Sequence, residues 1–144
     1  MPVGRGMELL HRDITDRIIN VFYSVYDELG SGFLEKICQT AMVIALREAG
    51  LRVDERVSFE VPFRGQLLGT FIADIVVEGR VLIEIKSKSA MAPRDEAQTM
   101  NYLRASTLEV ALLMNFGSKP DFVRRVLTND RKAHRGAHPT VAQK

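Results

Sequence analysis

The chain carries one cysteine, Cys38, in 144 residues. A lone cysteine excludes an internal disulfide and suits a reducing cytoplasm. Histidine is nearly as scarce. His11, His134 and His138 all lie in terminal segments, so Cys38 has no evident base and a Cys–His hydrolase is not expected. Cys38 instead reads as a small buried filler. His134 and His138 are four apart, but Gly136 and Pro139 oppose the helix that would aim both at a metal. No apolar run reaches membrane-spanning length, and residues 1–6 lack the apolar segment of a signal peptide. There is no repeat and no low-complexity block. Neither charge sign dominates: 20 Lys and Arg against 18 Asp and Glu leave a net charge of +2. That balance permits a nucleic-acid partner without requiring one. The expectation is one soluble, cytoplasmic domain, the unit that this length supports.

The stretch Thr70 to Lys88 dominates what is present. Phe71, Ile72, Ala73, Ile75, Val76, Val77, Val81, Leu82, Ile83 and Ile85 read as two strands joined at Glu78-Gly79-Arg80 and buried on both faces. Asp74, Glu84 and Lys86 interrupt this run. An uncompensated charge there costs on the order of several kcal/mol. Strand alternation puts Glu84 and Lys86 on one face with Leu82, and Asp74 on one face with Ile72 and Val76. Asp74 and Glu84 converge only if the connection holds an odd number of residues or a bulge shifts the register. One of these is therefore expected.

Two carboxylates and a lysine at one sheet edge make a divalent-metal site with a cation beside it, the equipment for phosphodiester hydrolysis. The competing reading is a buried ion pair without catalysis, in which Lys86 bonds directly to Asp74 and Glu84.

The flanking elements follow from spacing. Ile14, Ile18, Val21, Phe22, Val25 and Leu29 predict a helix from Glu8 or Ile14 to Leu29, ended by Gly30, with the Tyr23 and Tyr26 hydroxyls toward water. Cys38, Met42, Ala45, Leu46 and Ala49 form the inner stripe of a second helix, Leu34 to Ala49, with Glu35 at the start of that inward side. Val53, Val57, Phe59 and Val61 alternate as a strand that Pro62 places at an edge. Arg64-Gly65 turns it, and Gln66 to Val77 returns. Pro93 opens a third helix, with Asp95 and Glu96 at its positive end. Gln98 and Tyr102 share one face of it. Lys88 and Arg94 are candidate phosphate contacts. Leu108 to Met114 is a strand beside that of Glu84, making a right-handed βαβ crossover. Phe122 to Leu127 is a last edge strand. Residues 1–7 and the basic segment 128–144 are expected to be disordered, leaving 8–127 as the domain. The fold class is α/β, a mixed sheet of four or five strands flanked by helices.

Asp74 followed by Glu84-Ile85-Lys86 resembles the PD-(D/E)XK nuclease signature. More narrowly, Gly32-Phe33-Leu34-Glu35, Ala41-Met42, Ala73-Asp74, Glu84-Ile85-Lys86, Glu96-Ala97-Gln98, Asn101 to Ala105 and Asn115-Phe116-Gly117 resemble, in this order, the GxxExxY family. The resemblance spans Ile14 to Leu127. One departure is that Cys38 stands where the family name expects Tyr. The Gln98-x-x-x-Tyr102 spacing resembles the motif that follows the catalytic lysine of RecB-like nucleases.

The resemblance implies a restriction-endonuclease-like core and metal-dependent hydrolysis of nucleic acid, DNA ahead of RNA. It implies Mg²⁺ or Mn²⁺ on Asp74, Glu84 and the Ile85 carbonyl, with Glu35 as a third acidic group. Lys86 would position water or offset charge, Gln98 would support the site, and Tyr102 would touch substrate. With so little basic surface, a homodimer or a protein partner is expected to complete the groove. The alternative is a nuclease-like module that binds nucleic acid or protein without cleaving.

Overall fold

The alternation from Val53 to Val77 folds into one long hairpin. In the computed structural model, which describes residues 10–133 and 140–141, β1 (Val53–Phe63) pairs antiparallel with β2 (Gln66–Val77). Arg64 and Gly65 turn the chain with φ of 49° and 77°, the positive values that a tight two-residue hairpin loop favours. The register shifts between Val61 and Pro62, where proline cannot donate to a ladder.

Glu78, Gly79 and Arg80 then connect to β3 (Val81–Lys86), which pairs with β2 from Val77↔Val81 to Ile75↔Ile83. The connection holds three residues, the odd number that was one of the two expected solutions, and the ladder ends at Ile75↔Ile83, just before Asp74 and Glu84. A helix, Pro93–Ala105, carries the chain to β4 (Val110–Phe116), parallel to β3. β5 (Pro120–Val126) closes that side antiparallel. Two residues, Thr140–Val141, form β6 against Val57 and Ser58, so the sheet order is β5-β4-β3-β2-β1-β6.

Helices α1 (Arg12–Leu29) and α2 (Glu35–Glu48) cover one face of this sheet, and α3 (Pro93–Ala105) covers the other. Ile18, Phe22, Met42 and Leu46 pack toward Ile75, Ile83, Ile85 and Leu112. Tyr102 and Leu103 pack toward Val76, Leu82 and Ala111. β3, β4 and the end of β2 are therefore buried on both sides. No described helix is long and apolar enough to cross a membrane.

Several expectations need correction. The first half of β2 is not buried on both faces, since Ile72 is 43% exposed. Nor do Ile72, Asp74 and Val76 share one face. The rung between Arg56 and Asp74 is missing from the β1–β2 ladder, and Arg56 has φ 51°. There the strands exchange faces. Val53, Ile75 and Val77 belong to the core under α1 and α2, while Val57, Phe59 and Ala73 belong to the core under α3. The inner stripe of α2 gains Val43 and loses Ala49, which is exposed. The Tyr26 hydroxyl does not face water; it donates to the Gly117 carbonyl at 2.6 Å.

Beyond Leu127 the structure describes residues 128–133. Asn129–Arg131 form a single 3-10 turn. Asn129 N–H donates to Glu109 Oε2 at 2.8 Å, and Lys132 Nζ donates to the Ser106 and Leu108 carbonyls at 2.7 Å each. Burial lowers the Lys132 pKa to about 8 despite nearby Glu109. The expectations for residues 1–7 and for His134 and His138 fall outside the described residues.

Candidate active site

The site begins where the β1–β2 ladder opens. Asp74 has lost its rung, so side chains partner its backbone, as buried peptide groups require. Its N–H donates to Glu84 Oε1 at 3.0 Å, and its carbonyl accepts from Gln39 Nε2 at 3.1 Å. In return Ile85 N–H donates to Asp74 Oδ2 at 2.8 Å. Each carboxylate thus grips the backbone of the neighbouring strand with one oxygen. Asp74 Oδ1 and Glu84 Oε2 have no partner among the described residues.

The pair is electrostatically loaded. Burial pushes the Glu84 pKa well above the ordinary carboxylate range, and the Asp74 charge adds to the rise. Burial also raises Asp74, with the Ile85 N–H bond and Lys86 opposing and Glu35 adding. Lys86 is half-buried and forms no salt bridge with either carboxylate among the described residues. The direct ion pair of the non-catalytic reading is therefore not formed.

Lys86 opens on a cleft of about 540 Å³, shared with Glu35, Arg94, Gln98 and Asn101. The fold thus brings Glu35, Lys86, Arg94 and Gln98 to one concavity from α2, β3 and α3. Glu35 is not on the inward stripe of α2. It is exposed at the first helical turn and faces the cleft. Among the described residues no three His, Cys, Asp or Glu side chains gather closely enough to hold an ion, so Glu35 stands apart from the Asp74–Glu84 pair.

Two expected substrate contacts are committed elsewhere. Lys88 Nζ is tied to Asp95 Oδ2 at 2.8 Å. Tyr102 is buried, its ring edge-on to Phe71 at 5.3 Å. Burial and the Glu84 and Asp74 charges raise its pKa, and the ring packs into the core under α3 rather than lining the cleft. Cys38 is fully buried, and burial raises its thiol pKa despite a hydrogen bond with Ser87. It is a filler, as expected.

The strand end that carries Lys86 is held by residues to which the sequence assigned no role there. Asn115 is 2% exposed. Its Oδ1 accepts the Lys88 N–H at 3.1 Å and its Nδ2 donates to the Lys88 carbonyl at 3.0 Å. This side chain extends the β3–β4 pairing beyond Lys86. Gly117 lies against the same segment, and a Cβ there would meet the Lys88 carbonyl oxygen at 2.7 Å. Asp95 accepts from Lys88 and from Ala92 N–H, 2.8 Å each, and fastens the start of α3 to this loop. Burial works to raise the Asp95 pKa, but these bonds overcome it and leave it below the ordinary value. Gln39 stands one helical turn after Glu35, and that spacing was its only signal. We expect Asn115→Ala to loosen the Lys88 segment, read as amide hydrogen exchange at Lys88 faster by roughly 10-fold or more. Asn115→Asp, which can still accept the Lys88 N–H, restores part of the protection.

The profile of the PD-(D/E)XK nuclease superfamily matches residues 12–126. The chain belongs to that superfamily. The match takes in all three helices and β1 to β5, and the PD-(D/E)XK domain has the mixed α/β sheet of the restriction-endonuclease-like fold. Membership supports a nuclease-like function on nucleic acid. No curated protein and no solved structure matches the chain significantly.

Proposed function

We propose that this PD-(D/E)XK domain is a metal-dependent nuclease that hydrolyses nucleic-acid phosphodiesters, of the GxxExxY type within the RecB-like branch. One observation carries the reading. Asp74, half-buried, and Glu84, buried, form a carboxylate pair, each with an uncommitted oxygen, and among the described residues no cation bonds either one. Such a pair is costly unless a cation compensates it, and hard oxygen donors suit Mg²⁺ or Mn²⁺. The residues therefore fit a divalent ion. Asp74, Glu84 and the Ile85 carbonyl would hold it, with Glu35 as a further ligand or as the group that orients water.

A divalent ion held there would supply Lewis acidity toward phosphate and water oxygens. The Lys86 ammonium is free to hold the attacking water or a phosphate oxygen and to offset charge in the transition state. Arg94 lies along the cleft to receive a flanking phosphate. Gln98 offers an amide from the same wall. Tyr102 packs in the core beside Val76 and Leu82 of the two strands that carry the carboxylates.

The exposure of Glu35 favours a second reading, a non-catalytic module with no third acidic ligand. Calorimetry with Mn²⁺ tests between them. We expect about one ion bound per chain, with binding abolished by Asp74→Asn. Absence of heat from the wild type favours the module. Phe63, Leu67 and Leu68, exposed at the β1–β2 hairpin tip, support a homodimer or protein partner. The lone buried thiol of Cys38 suits the cytoplasm.

A further inference from the structure

A second cavity, of about 590 Å³, adjoins the cleft and shares Glu35 and Lys88 with it. Its volume lies within the range of about 300–1,000 Å³ typical of small-ligand sites. The wall residues combine one exposed aromatic group with hydroxyls and backbone: Phe33, Leu34, Ser87, Ser89, Gly117 and Ser118. Phe33 is 46% exposed and Leu34 77%, surface that burial in the core would have stabilised. Phe33 is not loose, however. Its carbonyl accepts the hydroxyl of Ser87, the residue after Lys86. The backbone that carries this exposed ring is thus fastened beside the residue that follows the candidate lysine. On the cavity's other side Gly117 brings bare backbone to the surface, with no room for a side chain against Lys88.

We infer that this cavity seats one unpaired nucleoside, stacked on Phe33, of the strand whose phosphate lies in the cleft. The inference rests on the nuclease reading and adds the substrate class: a single strand or a frayed end. A nucleobase has an apolar face for a ring and a polar edge for hydroxyls and peptide groups. In a duplex those faces are closed within the stack, so only an unpaired base can enter. Because the cavity and the cleft are contiguous, the base and its neighbouring phosphate can be held together.

The test uses the full chain carrying Lys86→Ala, which slows cleavage and keeps the metal site, with Mg²⁺ present and affinity read by fluorescence anisotropy. The probes are a labelled single strand, the same strand annealed to its complement, and a strand of equal length built from abasic sugars, each as DNA and, where it can be made, as RNA. The intact single strand is expected to bind roughly tenfold tighter than the other two. Phe33→Ala should weaken it roughly 5- to 100-fold and leave the abasic strand unchanged, while Phe33→Trp keeps the affinity. Equal loss for intact and abasic strands, or no loss with Phe33→Ala, overturns the nucleoside subsite while the nuclease reading stands. Failure of every probe to bind overturns both.

Discussion

Lys86→Ala is expected to lower the single-turnover cleavage rate about 10²- to 10³-fold, the loss typical when one positioned charge donor is removed from a transition state. Lys86 lies two residues beyond Glu84 on β3, and its charge pulls the pKa of both carboxylates downward. It is therefore close to them in electrostatic terms without being bonded to either. A group that anchored the fold would be tied down, and this one is not. Stability should accordingly change by only about 0.5 kcal/mol, and Mn²⁺ should bind at least as well as to wild type. Lys86→Arg should not restore the rate, because a planar guanidinium fork cannot replace a compact ammonium. A parallel loss of metal affinity or stability would make Lys86 a structural residue.

Glu84→Gln is expected to raise the stability of the metal-free protein while abolishing metal binding. The sign follows from linkage. Burial, then the Asp74 charge, raise the folded-state pKa of Glu84, so the folded chain holds this proton more tightly than the unfolded chain does. The stability contributed by the proton is fully present below the ordinary carboxylate pKa and is lost as pH rises through the raised, folded value. Once ionised, Glu84 works against the fold. Glutamine keeps an oxygen for the Asp74 N–H and carries no charge. Urea unfolding at pH 7 should show a gain of about 0.5–2 kcal/mol, shrinking as the pH falls. Added Mn²⁺ should then stabilise wild type, by about 2.7 kcal/mol at a hundred times its Kd, and leave the variant unmoved. Asp95 acts in the opposite sense. Its depressed pKa contributes stability that is lost on acidification, so the variant and wild type are compared at each pH.

Much of this site was legible because strand parity is a strict rule. Asp74 and Glu84 could meet only across an odd connection or a bulge, and Glu78-Gly79-Arg80 supplies the odd connection. The parallel β3–β4 pair followed from a helix set between two apolar strands. The face exchange at Arg56 was hidden, since nothing in an arginine announces a positive φ and no glycine marks the place. Contacts that pair distant residues were hidden too. Gln39 reaches Asp74 across 35 positions and Asn115 reaches Lys88 across 27, and no local pattern encodes either. Helical spacing put Glu35 on the inward stripe, but α2 begins at that residue after an extended Leu34, so the first turn overhangs the cleft. The Lys88–Asp95 pair spans the loop into α3, where helical and strand periodicities both lapse.

The most direct test of the central claim is cleavage of labelled single- and double-stranded DNA and RNA by wild type in Mg²⁺, Mn²⁺ or EDTA, beside Asp74→Ala. Cleavage that requires the metal and disappears with Asp74 is the expected result. Absence of cleavage on every substrate, together with no Mn²⁺ heat from the same samples, would contradict the catalytic assignment and leave a nuclease-like fold that only binds.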